Sequence, residues 1–339
     1  MMNLTPKERM RRAVNFEPVD RIPTQINYTA GMGQQMAGYF DIPVEGLPEF
    51  FGNHMVRVDL SYSRRLSDDG LVKFDWWGVG FDTQEEGYFA AVSPLQEKPD
   101  LDNYPWPDPH DPQLLQDAEQ TIAAYGDNYF MTPNFGFVLF ERAWTLRGFE
   151  QFFMDMAADP GFATELLDRI TEIQLALIHR YLDLGVDGGY FGDDYGAQKN
   201  LLFSPQMWRK FIKPRLAQLF APFQERGLPV LMHSDGQIQK ILPDLVEIGL
   251  TTLNPVQPEV LDHAWLRESF SGKLAFYGGI STQTVLPYGS PEEVRKAVSD
   301  CAGELSVDGS GLLIAPSHRM MSDIPMANIA AMLDAFRAL

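Results

Sequence analysis

Leu228-Pro229-Val230-Leu231-Met232-His233-Ser234-Asp235-Gly236 is an apolar run that ends abruptly in a histidine, a serine and an aspartate. Bounded by Gly227 and Gly236, it reads as a short strand of a parallel sheet covered on both faces. Ligands of such sheets bind beyond the carboxyl ends of the strands, so His233 and Asp235 stand where a reactive pair belongs.

The same punctuation recurs along the chain. Gly185 ends a helical pattern, and Val186–Phe191 runs into Gly192, Asp193 and Asp194. Thr251–Leu253 runs into Asn254, Leu274–Tyr277 into Gly278-Gly279, and Leu312–Ala315 into Pro316-Ser317-His318. Earlier strand candidates lie at Arg21–Tyr28, Asn53–Ser61 and Asn128–Pro133. Helical spacing separates them, clearest in Leu166, Ile170, Ile173, Leu177 and Tyr181. Thr5-Pro6-Lys7-Glu8 and Ser290-Pro291-Glu292-Glu293 read as capping boxes that open helices. Ser204-Pro205 opens a long helix that Pro214 and Pro222 should bend.

Strands alternating with helices predict an α/β fold, a TIM (β/α)8 barrel formed by one domain over residues 1–339 with an N-terminal extension. Residues 70–92 alternate differently, with Val72, Phe74, Trp76, Val79 and Phe81 around Gly78. They predict a small antiparallel β meander at the rim, and Pro94–Pro112 a surface excursion (together 70–112). Gly31, Gly33 and Gly38 predict a loop after the first strand. No glycine-rich phosphate fingerprint follows that strand, which argues against an open dinucleotide-binding sheet.

Composition narrows the partners. The chain has 339 residues and a formal net charge of −19, which repels nucleic acid and anionic lipid. No apolar run is long enough to span a bilayer, and the N-terminus lacks the apolar core of a secretion signal. Cys301 is the single cysteine, so neither an internal disulfide nor a multi-thiolate metal site can form. A cytoplasmic enzyme acting on a small molecule is the expectation.

The strand ends gather Asp193, Asp194, His233, Asp235, Asn254, Gln257, Gly278, Gly279 and His318. His233, Asp235 and His318 make a two-histidine, one-carboxylate set suited to a divalent metal; the alternative is a histidine that merely fixes loop geometry. Asp193, Asp235 and His233 are the candidates for proton transfer. Asp194, Asn254, Gln257, Gly278 and Gly279 would contact substrate, the glycines by making room for it, and Trp76 would supply an aromatic wall. His54, His110, His179 and His263 read as surface or structural groups.

Several segments together resemble the uroporphyrinogen decarboxylase superfamily nearly end to end. They are Thr5–Met10 with Asp20–Pro23, Leu146–Glu150, Gly192–Gln198, His233–Gly236, Gly278–Ile280 and Ala315–His318. The resemblance implies a TIM barrel, often a homodimer, with its site at the strand ends. True uroporphyrinogen decarboxylases need no metal and hold their polyanionic substrate with an Arg-Gln-Ala-Gly-Arg-Tyr loop. The matching Gln25–Gln34 segment has no arginine. The other branch, cobalamin-dependent methyltransferases, binds zinc through His-x-Cys at the fifth strand and a cysteine after the last. The matching positions are His233, Asp235 and His318, so both thiolates are replaced. That branch implies methyl transfer from a small methyl ether or methoxylated donor to a corrinoid carried by a partner protein, with zinc as the implied metal. The alternatives are a metal-free decarboxylase or lyase acting on a non-porphyrin carboxylic acid, and a non-catalytic binding module.

Overall fold

The structure, a computed structural model, describes residues 3–84 and 87–339. The first two methionines, and Glu85 and Glu86 within the expected meander, lie outside the described residues.

Seven parallel strands form the main sheet. They are β1 (Met55–Val58), β6 (Phe130–Phe135), β7 (Gly189–Gly192), β8 (Val230–His233), β9 (Thr252–Val256), β10 (Ala275–Ile280) and β11 (Leu312–Pro316), paired in that order. Each coincides with a run read from the sequence, within a few residues. The remaining run, Arg21–Tyr28, is not a regular strand. Its Thr24 makes parallel bridges to Asn53, just before β1, and to Ile314 in β11. Side chains replace the missing ladder: Asn53 accepts from the Ile26 N–H and donates back to its carbonyl, and Gln25 Oε1 accepts from the N–H groups of His54 and Met55. One segment therefore touches both edges of the sheet, which curls it.

Alternation along each strand sorts the core into two. Val230 and Met232 of β8 face the helices, whereas Leu231 faces inward with Met55, Phe130, Tyr190, Tyr277 and Leu313. By the same period His233 continues the inward face. The helices form as their caps dictate. At Ser290 the capping box is complete, and the helix Pro291–Leu305 follows. At Thr5 only half of it forms: Thr5 accepts from the Glu8 N–H, but the Glu8 carboxylate turns to Arg11 and Arg12. The aromatic-rich stretch after β6 forms two helices that part at Gly148, Phe140–Arg147 and Phe149–Ala158. The helix expected after Ser204 likewise divides into Pro205–Phe211 and Lys213–Glu225.

One expectation is overturned. The glycine-rich stretch after Tyr28 is a helix, Ala30–Phe40, capped by Thr29. Met32 and Met36 lie one turn apart and are fully buried. Gly33 is small because it packs on Tyr28, whose ring would lie 2.9 Å from an added Cβ. Close packing, and not chain reversal, explains that glycine.

The meander is a four-stranded antiparallel sheet that begins earlier than expected: β2 (Arg65–Leu66), β3 (Val72–Phe74), β4 (Gly80–Asp82) and β5 (Ala90–Val92). It reaches the strand-end rim, where the Arg319 guanidinium stacks over the Tyr88 ring at 4.8 Å. No helix among the described residues is long and apolar enough to cross a membrane.

Candidate active site and metal centre

His233 is the last residue of β8, and Asp235 lies two residues on, in the loop that Gly236 turns. The loop has a fixed seat. Gly236 has φ +80°, and an added Cβ would lie 2.4 Å from the carbonyl carbon of Gly196, so only glycine fits. The adjoining tip of β7 is pinned to β8 by the Asp193 N–H on the His233 carbonyl at 3.0 Å.

A second contact sets the imidazole. His233 Nδ1 lies 2.8 Å from Asn254 Oδ1, and the Tyr190 hydroxyl donates to the same oxygen at 2.8 Å. The Asn254 amide nitrogen is committed elsewhere, donating to the Tyr277 carbonyl at 3.0 Å. Asn254 thus offers His233 only an acceptor. The Nδ1 must carry the hydrogen, and the lone pair of Nε2 faces the mouth.

Two carboxylates converge on that lone pair. His233 Nε2 is 3.7 Å from Asp194 Oδ1 and 3.7 Å from Asp235 Oδ1. Asp194 Oδ1 also accepts from the Asp235 backbone N–H at 2.8 Å, which ties the tips of β7 and β8 together. Asp194, His233 and Asp235 each present a ligand atom, and those atoms lie within 4.8 Å of one another. Burial, against the pull of His233, and the charge of Asp235 hold the Asp194 carboxyl above its ordinary range. Like charges gathered around one nitrogen lone pair are what a cation relieves. The donors present, one imidazole and two carboxylates, fit a divalent ion with open positions.

The expected metal set of His233, Asp235 and His318 differs at one member from the triad that the structure draws together. His318 sits on the loop after β11, exposed, with Nε2 3.9 Å from Asp235 Oδ2 and its ring centroid 6.2 Å from that of His233. It borders the cluster while Asp194 completes it. Burial lowers the His318 pKa, partly offset by Asp235.

Asp193 is corrected as well. Expected at the mouth as a proton-transfer group, it is fully buried beneath the start of the helix Phe140–Arg147. Its oxygens accept from the N–H groups of Phe140 and Glu141, both at 2.7 Å, and from the Tyr195 hydroxyl at 2.8 Å. Burial nonetheless pushes its carboxyl up to about 7. Adjacent residues at a strand end point opposite ways, so one aspartate caps and the other faces the mouth.

Three further expectations change role. Gln257 Oε1 accepts from the Gly236 N–H at 3.4 Å and braces the loop. Gly278 and Gly279 have φ of +124° and +97°. The space at Gly279 is taken by the Cys301 thiol, 2.4 Å from an added Cβ, and Gly278 lies against the β9 backbone where the β9–β10 register shifts. That room accommodates the protein's own chain, not a ligand. Trp76 packs edge-on against the buried Trp77 at 5.3 Å, within the meander. The aromatic surface beside the mouth comes instead from Tyr88, packed on Phe81 and Phe137. Asn254 stands where expected but acts on His233.

Two residues escaped the sequence reading. Glu141 lies beside Asp193 and Asp194, and burial and their charges push its carboxyl well up despite a hydrogen bond from the Asp194 N–H. Arg57 is a cation in the middle of β1, between Val56 and Val58. A charge inside an apolar strand is the signal that could have found it. His54 is structural, as expected, though fully buried: it accepts from Arg9 at Nε2 (3.0 Å) and meets the Thr24 carbonyl through Nδ1. Two surface depressions lie elsewhere, one along Pro258–Ala264 with Glu304, the other at the opposite end of the strands beside Lys7 and Asp187.

The uroporphyrinogen decarboxylase (URO-D) family pattern matches residues 54–339. The chain belongs to that family. It is 24% identical over 367 residues to a uroporphyrinogen decarboxylase of Alkalilimnicola ehrlichii, spanning 100% of this chain and 95% of that one. Among solved structures, a methyltransferase from Methanosarcina mazei superimposes with a TM-score of 0.74 at 18% identity, over 99% of both chains. A B12-independent methionine synthase from a Shewanella species superimposes with a TM-score of 0.50 at 11% identity, over 94% of this chain and 95% of that one. At these identities the two structures establish a shared fold. A shared fold does not fix the reaction, which has to be argued from this chain's own strand-end residues.

Proposed function

We propose that this URO-D family protein is a methyltransferase that takes the methyl group of a small methyl ether or methoxylated compound and passes it to a corrinoid carried by a partner protein. The observation that carries the reading is the His233 Nε2 lone pair, fixed by Asn254 and faced by Asp194 and Asp235. The segment around Thr24 serves as the reduced first strand of a TIM barrel, and the mouth at the strand ends receives the donor. Solved-structure likeness to the Methanosarcina mazei methyltransferase supports this choice of reaction within the family.

Asp194, His233 and Asp235 would hold a divalent ion such as zinc, which supplies a Lewis acid for an ether oxygen. A donor set without thiolate leaves such an ion hard, suited to oxygen and not to a substrate thiol. In the overall reaction the methyl–oxygen bond breaks, the oxygen gains a proton and leaves as an alcohol or phenol, and the methyl group goes to the acceptor. Glu141, whose carboxyl is pushed well up by burial and by the neighbouring aspartates, is the proton source beside Asp194. His318 guards the rim. Asp193 holds the helix start that carries Glu141.

The test is spectroscopic. Incubated with reduced corrinoid protein and a panel of methoxylated donors, the enzyme should convert the cobalt(I) spectrum to that of methylcobalt. Release of carbon dioxide from a carboxylic acid, unaffected by chelators and without methyl transfer, would overturn it in favour of the decarboxylase reading. That reading draws on the Alkalilimnicola ehrlichii relative, whose alignment spans the whole chain.

A further inference from the structure

Arg57 is a cation without an anion. It lies on β1 with its guanidinium carbon 5.0 Å from the centroid of the Tyr190 ring. Tyr190 belongs to the inward-facing core, so Arg57 projects into the space the strands enclose. Among the described residues it makes no hydrogen bond or ion pair. Its surroundings keep it charged: desolvation alone would lower its pKa, but Tyr190, Tyr277, Asp59 and Tyr88 outweigh that and raise it.

A second unsatisfied group stands beside it. Arg57 pairs in register with Thr132 of β6, so their side chains share one face of the sheet. Thr132 is fully buried, and its hydroxyl has no hydrogen-bond partner. A buried unpaired hydroxyl is costly, and an unpaired cation more so. Two such donors side by side point to a group that supplies acceptors.

The local acid does not fill that role. Asp59, two residues along, is held by the Asn134 amide at 2.7 Å. The position also relates to the reacting cluster. Tyr190 carries Arg57 on its ring and gives its hydroxyl to Asn254, which holds His233. One tyrosine and one amide therefore separate Arg57 from the metal-type donors.

We propose that Arg57 and Thr132 form a carboxylate seat in the mouth, so that the substrate is a small acid whose anionic end lies on Arg57 and whose reacting end faces His233. The proposal rests on the reading that the strand-end mouth receives the substrate. It does not depend on the methyl-transfer chemistry. Among the aspartates of the mouth the Arg57 guanidinium provides the selectivity: it attracts a carboxylate that Asp194 and Asp235 repel from the reacting end.

The test is equilibrium binding by calorimetry of 3-methoxybenzoate and its neutral isostere 3-methoxybenzamide. Wild-type protein should prefer the acid by at least about tenfold, the worth of one charge-assisted hydrogen-bonded contact. Arg57→Gln should remove that preference while leaving amide binding in place, and Arg57→Lys should retain part of it. Equal binding of acid and amide by wild type, no binding of the acid, or an undiminished preference in Arg57→Gln overturns the seat. Tighter binding of phenyl phosphate than of the acid overturns the carboxylate assignment. Zinc uptake by the same Arg57 variants is measured alongside. Acid preference without zinc uptake leaves the seat standing and removes the metal reading; zinc uptake without acid preference does the reverse.

Discussion

Replacing Asn254 by leucine keeps the branched shape of the side chain, with methyl groups in place of the amide oxygen and nitrogen, and deletes three polar contacts. Tyr190 and His233 lose their acceptor, each at 2.8 Å, and the Tyr277 carbonyl loses its donor at 3.0 Å. At about 1 kcal/mol net for each, the metal-free fold should lose about 3 kcal/mol. For a protein of 339 residues that lowers the melting temperature by roughly 4 °C. The larger consequence falls on His233. Without an acceptor at Nδ1, the imidazole can take either tautomer and turn, so Nε2 no longer presents a fixed lone pair. Loss of such a partner typically costs about 10–100-fold in metal affinity. The assay is a cobalt(II) titration followed by visible absorption, with urea denaturation of the metal-free protein in parallel. Asn254→Asp separates the two effects, because it keeps the acceptor toward His233 and loses only the donor to Tyr277. It should retain cobalt affinity. The reasoning is refuted if Asn254→Leu binds cobalt as tightly as wild type while His233→Ala does not.

Other expectations follow from the same geometry. Asp193→Ala removes a cap and orphans the buried Tyr195 hydroxyl, so urea denaturation should register a loss of about 2–4 kcal/mol. An unchanged midpoint would return Asp193 to the list of mouth residues. His54 is depressed from 6.5 to about 3, chiefly by burial, so its neutral form belongs to the fold. Its contribution is therefore complete above 6.5 and lost as pH falls from 6.5 toward about 3, at up to about 1.4 kcal/mol per pH unit. Against His54→Gln, which cannot titrate, the wild-type advantage should shrink across that window; a pH-independent difference contradicts the assignment. Gly279→Ala should destabilise the protein through its positive φ and its collision with Cys301, and Cys301→Ala should relieve the collision alone. Additive effects in the double variant, where a coupling of about 0.5–3 kcal/mol is expected, would remove that contact as the cause.

The scaffold was legible because parallel strands leave a plain trace: apolar runs, glycine before, polar residues after. Seven of the runs read that way are strands of the sheet. The eighth, around Thr24, is bridged and not laddered: Asn53 and Gln25 side chains do the pairing toward β1, and two backbone bonds with Ile314 do it toward β11. No periodicity encodes that. The helix at Ala30–Phe40 was hidden by its glycines, of which Gly33 serves close packing on Tyr28 and not a turn.

The site was legible in outline and not in detail. Strand ends announce which residues reach the mouth, but not which of two neighbours faces it. Asp193 and Asp194 differ only in direction, and one becomes a helix cap while the other joins His233. His318 and Asp194 approach the same pair, His318 at 3.9 Å from Asp235 and Asp194 at 3.7 Å from His233, and no sequence spacing ranks them. Glu141 and Arg57 belong to elements that no motif singles out, and only the fold places one beside Asp194 and the other over Tyr190.

Metal stoichiometry tests the central claim most directly. Chelator-treated protein, dialysed against zinc and analysed by mass spectrometry under non-denaturing conditions, should hold one ion per chain. Asp194→Asn and Asp235→Asn should each lose it, and His318→Ala should keep it. A wild-type protein that takes up no stoichiometric ion, or one whose ion is lost with His318 but not with Asp194, contradicts the account.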